Sequence, residues 1–256
     1  MQKKELIDGI WRNEIYIDYL NWKRTVNEKN RFDYNHFLLQ LLKANKLLFE
    51  TEIPIKKSFY RGRFFNIDEV VEYDRQGIPH FEISPKSGFE GYSADKCGAP
   101  PTELATEGRL NSVGVPFLYT CEDEKTVIYE LRPIKKELIS IAEFVTNKKM
   151  KFADCTSEVY KKIETENFEL SNLLLFISSD FSHPHYQGHK YWFTQFLAGQ
   201  FINMGFDGVV FNSSLIDTGK NYVFFNPNDC TAINSKLCRV RKIQIQFDNI
   251  NRQDLL

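Results

Sequence analysis

Three residues in the stretch Gly108–Pro133 have side chains that suit a site for a charged sugar derivative. Arg109 carries a permanent positive charge, Tyr119 an aromatic ring and Glu130 a carboxylate. A guanidinium binds anions through parallel hydrogen bonds, an aromatic ring borders flat ligands, and a carboxylate accepts hydrogen bonds from hydroxyl groups. Together they indicate a site for an anion attached to a sugar.

The sequence around these residues predicts the elements that position them. The glycines of 108–114 favour a turn, and the apolar run 115–121 favours a buried strand. The acidic residues Glu122–Glu124 suit the first turn of a short helix, which runs to Glu130 and stops before Pro133. The spacing alone nevertheless favours an arrangement without function: a surface arginine, a core tyrosine and a solvated glutamate.

Two further stretches carry residues that could complete such a site. In the strand-like run Ser58–Phe65, Arg61 lies among aromatic residues. There it is either an edge residue with its charge in solvent or an anion-binding group held by stacking. The run Phe206–Ser214 predicts a turn into a buried strand that ends at Ser213 and Ser214. A serine pair at a strand end is also a common turn former.

These stretches resemble three signatures of one known family. The pattern G-R-x-N-x-x-G-x-x-x-L-Y, followed by E-x-R-P, spans residues 108–133 and resembles the core of the RES domain family, named for an Arg, a Glu and a Ser. Tyr60-Arg61 resembles the first signature of the family. Residues 205–214, with G-F-D-G, three apolar residues and then S-S, resemble the first part of the third signature. G-x-N and four apolar residues, which begin at Gly219, resemble its second part.

The resemblance covers about residues 59–227 and implies a fold and an activity. Members of the family are bacterial toxins that act on NAD. The implied fold is α+β (mixed α/β) and ADP-ribosyltransferase-like, with a bent, split β-core and a cleft where NAD⁺ binds. The implied reaction is cleavage of the nicotinamide–ribose bond, by hydrolysis or phosphorolysis, in a toxin–antitoxin or phage-defence setting. The alternatives are a protein ADP-ribosyltransferase and a non-catalytic module that binds a nucleotide or a partner.

The resemblance also implies roles for individual residues. Arg61, Glu130 and Ser213 are expected to be catalytic. The arginine would bind the pyrophosphate, the glutamate would stabilise an oxocarbenium-like transition state, and the serine would hold the substrate. The residues expected to bind the substrate are Tyr60, Arg109, Tyr119, Ser214 and Asn221. We expect no metal and no prosthetic group, because NAD⁺ is the substrate and its leaving group is already a cationic pyridinium.

Partners beyond NAD⁺ follow from the same resemblance. Typical members are neutralised by a small Xre-type helix-turn-helix antitoxin whose C-terminal end plugs the cleft, so such an antitoxin is an expected partner. Residues 1–51 predict two helices joined by a polar turn. This hairpin lies outside the resemblance and would be an in-chain regulator or a homodimer contact.

Composition narrows the class of protein further. The 256 residues include 33 Lys and Arg against 34 Asp and Glu, which argues against binding nucleic acid through bulk charge. No run reaches the roughly 18 apolar residues of a membrane span. Five cysteines are scattered without a C-x-x-C pair, which favours a reducing cytoplasm. The histidines of 183–189 have no cysteine nearby, so we expect a solvated loop there rather than a zinc site.

The chain divides into three parts by pattern. The helical segment 1–51 precedes a RES-type domain at 52–247, and a tail follows at 248–256. A loop-rich insertion is expected at about 68–107, where Pro and Gly are frequent. The other expected elements are a strand at Leu138–Phe144, a charged and mostly exposed segment at 148–168, a helix from Lys190 to Gly205 and a late strand at Cys238–Phe247.

Overall fold

The computed structural model describes residues 14–29, 35–66, 72–73, 79–80, 91–183 and 191–244. The α-helices in these ranges are α1 Glu14–Glu28, α2 Phe37–Ala44, α3 Glu124–Leu131, α4 Ser157–Ile163, α5 Phe168–Ser182 and α6 Trp192–Asn203. The strands are β1 Glu50–Ile53, β2 Ser58–Phe64, β3 Glu72–Tyr73, β4 Pro79–His80, β5 Leu118–Cys121, β6 Leu138–Thr146, β7 Met150–Asp154, β8 Gly208–Asn212, β9 Lys220–Phe224 and β10 Cys230–Arg239. The fold is mixed α/β, as predicted.

Eight of the strands form one sheet in the order β1-β7-β8-β9-β5-β2-β6-β10. Neighbours run antiparallel except for the parallel pair β7–β8. The sheet is split in its middle, because β2 and β5 share the single register pair Tyr60↔Cys121, whereas β2 pairs with β6 from Ser58 to Phe64. The five-stranded half β1-β7-β8-β9-β5 therefore meets the three-stranded half β2-β6-β10 along an open seam. The predicted split β-core is confirmed.

Strands β8 and β9 of the five-stranded half are buried on both faces. Successive strand residues point to opposite faces. Val223 and Phe224 of β9 accordingly belong to two different apolar clusters. The cluster of Val223 includes Phe181 of α5 and Phe201 of α6, which are fully buried. Complete burial of such a side chain stabilises the fold by about 1.5–3 kcal/mol. The site described below therefore rests on a rigid half-sheet.

The two N-terminal helices pack on this same core. Trp22 of α1 is fully buried; its ring stacks on His36 at 5.0 Å and meets Phe193 of α6 edge-on at 5.1 Å. Lys23 forms an ion pair of 2.7 Å with Asp180 of α5. The predicted hairpin thus contributes directly to the core beside the sheet. The division of the chain into a helical segment at 1–51 and a separate domain at 52–247 stays a prediction.

Two expectations are wrong, one about an exposed segment and one about the last strand. The segment 148–168 is not mostly exposed, because β7 occupies its beginning and Phe152 and Ala153 are fully buried. Lysines flank this strand in the sequence, and they hide its buried pattern. The last strand lies at Cys230–Arg239 rather than Cys238–Phe247. Its position follows from pairing with β6, which includes a shift of register between Ala232 and Asn234, and the burial along this edge strand is irregular.

The predicted insertion at 68–107 lies partly outside the described residues. Its described part contains short 3₁₀ turns at Ala94–Cys97 and Thr102–Leu104. Tyr92 is buried and anchors this part, because its backbone N–H donates to Ser140 Oγ at 2.9 Å. Most of the histidine-containing loop and the tail at 248–256 also lie outside the described residues. In the described part of the chain, no helix combines the length and apolar character needed to cross a membrane.

Candidate active site

Helix α3 carries Glu130, and local signals define both of its ends. Asp123 is the N-cap, since its Oδ1 accepts a hydrogen bond of 2.7 Å from the backbone N–H of Thr126. Arg132 ends the helix in the left-handed conformation, with φ of 49°, directly before Pro133. Glu130 therefore lies in the last turn, one turn beyond the buried Val127, as the sequence predicts.

Gly62 of β2 lets α3 approach the sheet closely. A Cβ atom at this position would lie 2.5 Å from Cγ1 of Val127 and 2.7 Å from Cδ1 of Leu131. Real carbon contacts are far longer than this. The absence of a side chain at Gly62 thus brings the helix that carries Glu130 against the strand that carries Arg61. Gly62 was not predicted from the sequence to be part of the site.

Two buried donors hold one oxygen of the Glu130 carboxylate. Ser213 Oγ donates to Oε1 at 2.7 Å, and Asn221 Nδ2 donates to the same Oε1 at 2.7 Å. Ser213 and Asn221 are each 8% exposed. They come from the ends of the paired strands β8 and β9, where the Ser213 N–H donates to Gly219 O at 2.8 Å. Oε2 has no hydrogen-bond partner among the described residues, so it is the oxygen available to a ligand.

Arg61 is a partly buried cation with few protein partners. Its Nη1 donates to the backbone carbonyl of Tyr119 at 3.1 Å across the seam of the sheet. Burial lowers the pKa of Arg61 from its usual value. Among the described residues no carboxylate forms an ion pair with it. A desolvated guanidinium of this kind, with most of its five donors unused by the described residues, is suited to bind an anion.

The neighbouring Arg63 has a different environment. Its guanidinium lies 4.6 Å from the centre of the Tyr92 ring and donates to Lys96 O at 3.2 Å. It is not among the residues that line the cavity described below. The two arginines of β2 are thus distinguished by their contacts.

Tyr119 holds the loop of the G-R-x-N pattern. Its hydroxyl donates to Asn111 Oδ1 at 2.8 Å and accepts from the backbone N–H of Leu110 at 3.0 Å. Burial raises the pKa of Tyr119 to about 12. A Cβ on Gly108 would lie 2.2 Å from Asn111 Oδ1, which explains the glycine at this position. The ring of Tyr119 borders the cavity, while its hydroxyl is used by the loop.

Helix α6 fixes the same loop from the other side. Gln195 Nε2 donates to the backbone carbonyls of Gly108 and Asn111, both at 3.0 Å. Thr194 Oγ1 donates to the carbonyl of Arg109. Gln195 was not predicted from the sequence, because a polar residue in a mostly apolar helix carries no recognisable signal.

Arg109 lies at the C-terminal end of α5. Its Nη1 donates to the carbonyl of Phe181 and, at 3.0 Å, to that of Ser182. These carbonyls carry the partial negative charge of the helix end, which a cation stabilises. The other guanidinium nitrogens of Arg109 have no hydrogen-bond partner among the described residues, and the side chain lines the cavity.

A cavity of about 410 Å³ lies at the seam of the sheet. Six of the eight predicted site residues line it: Tyr60, Arg61, Arg109, Tyr119, Glu130 and Asn221. Ser213 reaches the cavity through its bond to Glu130, whereas the hydroxyl of Ser214 donates to Ser182 O at 3.1 Å. Lining residues that the sequence analysis did not name include Glu107, Cys121 and Tyr191. The volume lies within the range of about 300–1,000 Å³ typical of small-molecule sites.

The RES domain family matches residues 84–248 of this sequence. This is more than half of the chain, which therefore belongs to the RES domain family. Toxins with this domain are NAD-processing enzymes. No curated protein matches the chain significantly. Among solved structures, one similar chain comes from the crystal structure of the M. tuberculosis MbcT–MbcA toxin–antitoxin complex. It has 10% identity and a TM-score of 0.39, and the match covers 80% of this chain and 92% of that one.

Proposed function

We propose that this protein is a toxin that consumes NAD⁺ by cleaving the nicotinamide–ribose bond. One observation carries the proposal: Ser213 and Asn221 hold the Glu130 carboxylate in a cavity that also contains the partly buried Arg61, for which no ion-pair partner lies among the described residues. A fixed carboxylate and a desolvated cation in one cavity suit a ligand that has a sugar and a diphosphate. Membership of the RES domain family supports NAD⁺ as that ligand.

Glu130 is the residue proposed to act on the ribose. Loss of nicotinamide leaves positive charge on the ribose carbon and ring oxygen, as in glycoside hydrolysis. Because Ser213 and Asn221 both bind Oε1, Oε2 is left to face this charge or to accept from a ribose hydroxyl. The carboxylate is oriented before the substrate arrives, so little reorganisation is needed in the transition state.

The two arginines are proposed to bind the diphosphate. Most donors of Arg61 have no partner among the described residues, and its burial strengthens each charge-assisted bond. Arg109 already uses Nη1 at the end of α5, so its remaining N–H groups would contribute. The rings of Tyr60 and Tyr119 border the cavity and are proposed to flank the nicotinamide.

The acceptor of the ADP-ribosyl group is proposed to be water or phosphate, with a protein side chain as the alternative. Incubation with NAD⁺, with and without phosphate, followed by mass spectrometry of the products distinguishes the three. Water yields ADP-ribose, phosphate yields its phosphorylated form, and transfer to protein adds ADP-ribose to a polypeptide.

A partner and a compartment follow from the proposed activity. A toxin that depletes NAD⁺ requires an inhibitor in the cell that makes it, and we propose an antitoxin of the Xre type in that role. The cytoplasm is the proposed compartment, since NAD⁺ is abundant there. The described cysteines are all free thiols, which fits a reducing environment.

The test is to incubate the purified protein with NAD⁺ and follow free nicotinamide. Release in proportion to enzyme, abolished in the Glu130→Gln variant, is the expected result. Saturable NAD⁺ binding without release would support a binding module instead. In bacteria, expression of the wild type should deplete NAD⁺ and stop growth, whereas Arg61→Ala should be tolerated. Normal growth and NAD⁺ levels with soluble wild-type protein would contradict the proposal.

A further inference from the structure

The thiol of Cys121 contacts Asn221, one of the two residues that hold Glu130. Cys121 and Asn221 are directly opposite each other in the antiparallel pair β5–β9, so their side chains lie on the same face of the sheet. Cys121 Sγ donates to Asn221 Oδ1 at 3.3 Å. Cys121 also forms the single register pair between β5 and β2, with Tyr60. It therefore lies at the seam, beside the cavity.

The chemistry of the amide makes this contact directional. A carboxylate is only an acceptor, so Asn221 must present its NH₂ group to Glu130. Its carbonyl oxygen then faces Cys121, where it needs a donor. A neutral thiol supplies one. Burial and the nearby Glu130 carboxylate raise the pKa of the Cys121 thiol, which keeps the proton on sulfur.

We infer that Cys121 is a positioning residue, whose thiol fixes the Asn221 amide in the orientation that donates to Glu130. This inference rests on the proposed function. Without the S–H donor, the amide loses one of the two contacts that determine its orientation. The bond from Asn221 to Glu130 is then formed less often, and the carboxylate is held by Ser213 alone. Cys121 has no role as a nucleophile in this arrangement.

The kinetic test compares substitutions at Cys121 with a matched cysteine elsewhere. Cys121→Ala should lower kcat roughly three- to tenfold, as expected for loss of one hydrogen bond, with KM within about twofold. Cys121→Ser keeps a donor and should retain kcat within about threefold. Cys155→Ala is the control: Cys155 is fully buried in the apolar core, and its substitution should leave turnover unchanged. Equal losses in Cys121→Ala and Cys121→Ser would overturn the inference.

A double-mutant cycle separates positioning from a general packing effect. In an Asn221→Ala background, Cys121→Ala should cause no further loss of kcat, because the amide that the thiol orients is gone. A loss of the same size in both backgrounds would mean that Cys121 acts through packing, which contradicts the inference.

A spectroscopic measurement tests the contact without relying on activity. The infrared S–H stretch of Cys121 is isolated by subtracting the Cys121→Ala spectrum from that of the wild type. It should be that of a hydrogen-bonded thiol and should move towards that of a free thiol in Asn221→Ala. A band that does not respond to Asn221→Ala would overturn the inference even if the wild type releases no nicotinamide. Absence of release by the wild type would refute only the proposed function.

Discussion

Ser213 and Glu130 are 83 positions apart in the sequence, yet the Ser213 hydroxyl donates to Glu130 Oε1 at 2.7 Å. Asn221 adds a second bond of 2.7 Å to the same oxygen. Hydrogen bonds to a charged group are roughly twice as strong as neutral ones. The carboxylate is thus fixed by Ser213 and Asn221, while its other oxygen has no hydrogen-bond partner among the described residues.

Glu130→Gln is expected to abolish turnover and preserve binding. The amide keeps the shape of the side chain but removes the charge that stabilises the transition state. Nicotinamide release should fall at least about a hundredfold, with the dissociation constant of NAD⁺ changed only a few-fold. Release assays and calorimetry measure the two effects. Retention of half the wild-type activity would remove Glu130 from the mechanism.

Two neighbouring carboxylates serve as controls for Glu130. Asp123 caps α3, and asparagine caps helices about as well as aspartate. Glu122 forms an exposed ion pair of 3.9 Å with Lys57, and such pairs contribute about 0–1 kcal/mol. Asp123→Asn and Glu122→Gln should therefore change turnover little.

Ser213→Ala is expected to reduce kcat, whereas Ser214→Ala is not. The first substitution removes a charge-assisted bond to Glu130, which corresponds to about 10- to 100-fold in rate if the loss falls in the transition state. The exposed Ser214 bonds to Ser182 O and makes no contact with Glu130 that would affect kcat. Steady-state kinetics of both variants provide the comparison. A larger effect at Ser214 would exchange the roles of the two serines.

Arg61→Lys is expected to reduce kcat/KM at least about tenfold, although the charge is kept. A lysine lacks the planar fork that binds two oxygens of a diphosphate. Arg63→Lys is the matched control, because Arg63 packs on Tyr92 outside the cavity, and its kcat/KM should stay within about twofold. Similar losses for the two variants would indicate that Arg61 contributes through general charge.

Gly62→Ala is expected to impair both stability and activity. The added Cβ would displace α3 through Val127 and Leu131, and overpacking of this kind typically costs about 1–3 kcal/mol. Since α3 carries Glu130, kcat should fall several-fold as well. Gly199→Ala in α6 is the control, because its Cβ would meet no atom within 4 Å; it should stabilise the protein by up to about 1 kcal/mol. Urea unfolding and nicotinamide release measure the effects.

Tyr119→Phe is expected to destabilise the loop at residues 108–111. It leaves the Leu110 N–H and Asn111 Oδ1 without their partner, at a cost of about 1–3 kcal/mol. Tyr129→Phe is the control, since Tyr129 is 46% exposed. Folding raises the pKa of Tyr119 from 10.0 to about 12, so it favours the neutral phenol. The stabilisation of the folded protein by the neutral phenol is complete below the unfolded-state pKa. It is lost as the pH rises towards the folded-state pKa. The difference in unfolding free energy between wild type and Tyr119→Phe should shrink over that interval.

The sequence alone determined the elements whose signals are local. Asp123 and Pro133 mark the ends of α3, and the apolar spacing between them places Glu130 in the last turn. Arg61 among aromatic residues indicated a strand that carries a cation, with its charge either in solvent or bound to an anion. The three signatures indicated the family, because each consists of residues close together in the chain.

Tertiary structure decided which of these residues meet. Ser213 rather than Ser214 contacts Glu130, and the thiol of Cys121 faces Asn221, because β5, β8 and β9 pair in one particular register. Arg61 rather than Arg63 lines the cavity, since the seam of the sheet opens beside Arg61. Strand pairing and the close approach of α3 to β2 join residues that are far apart in the sequence. A local pattern of residues therefore does not predict them.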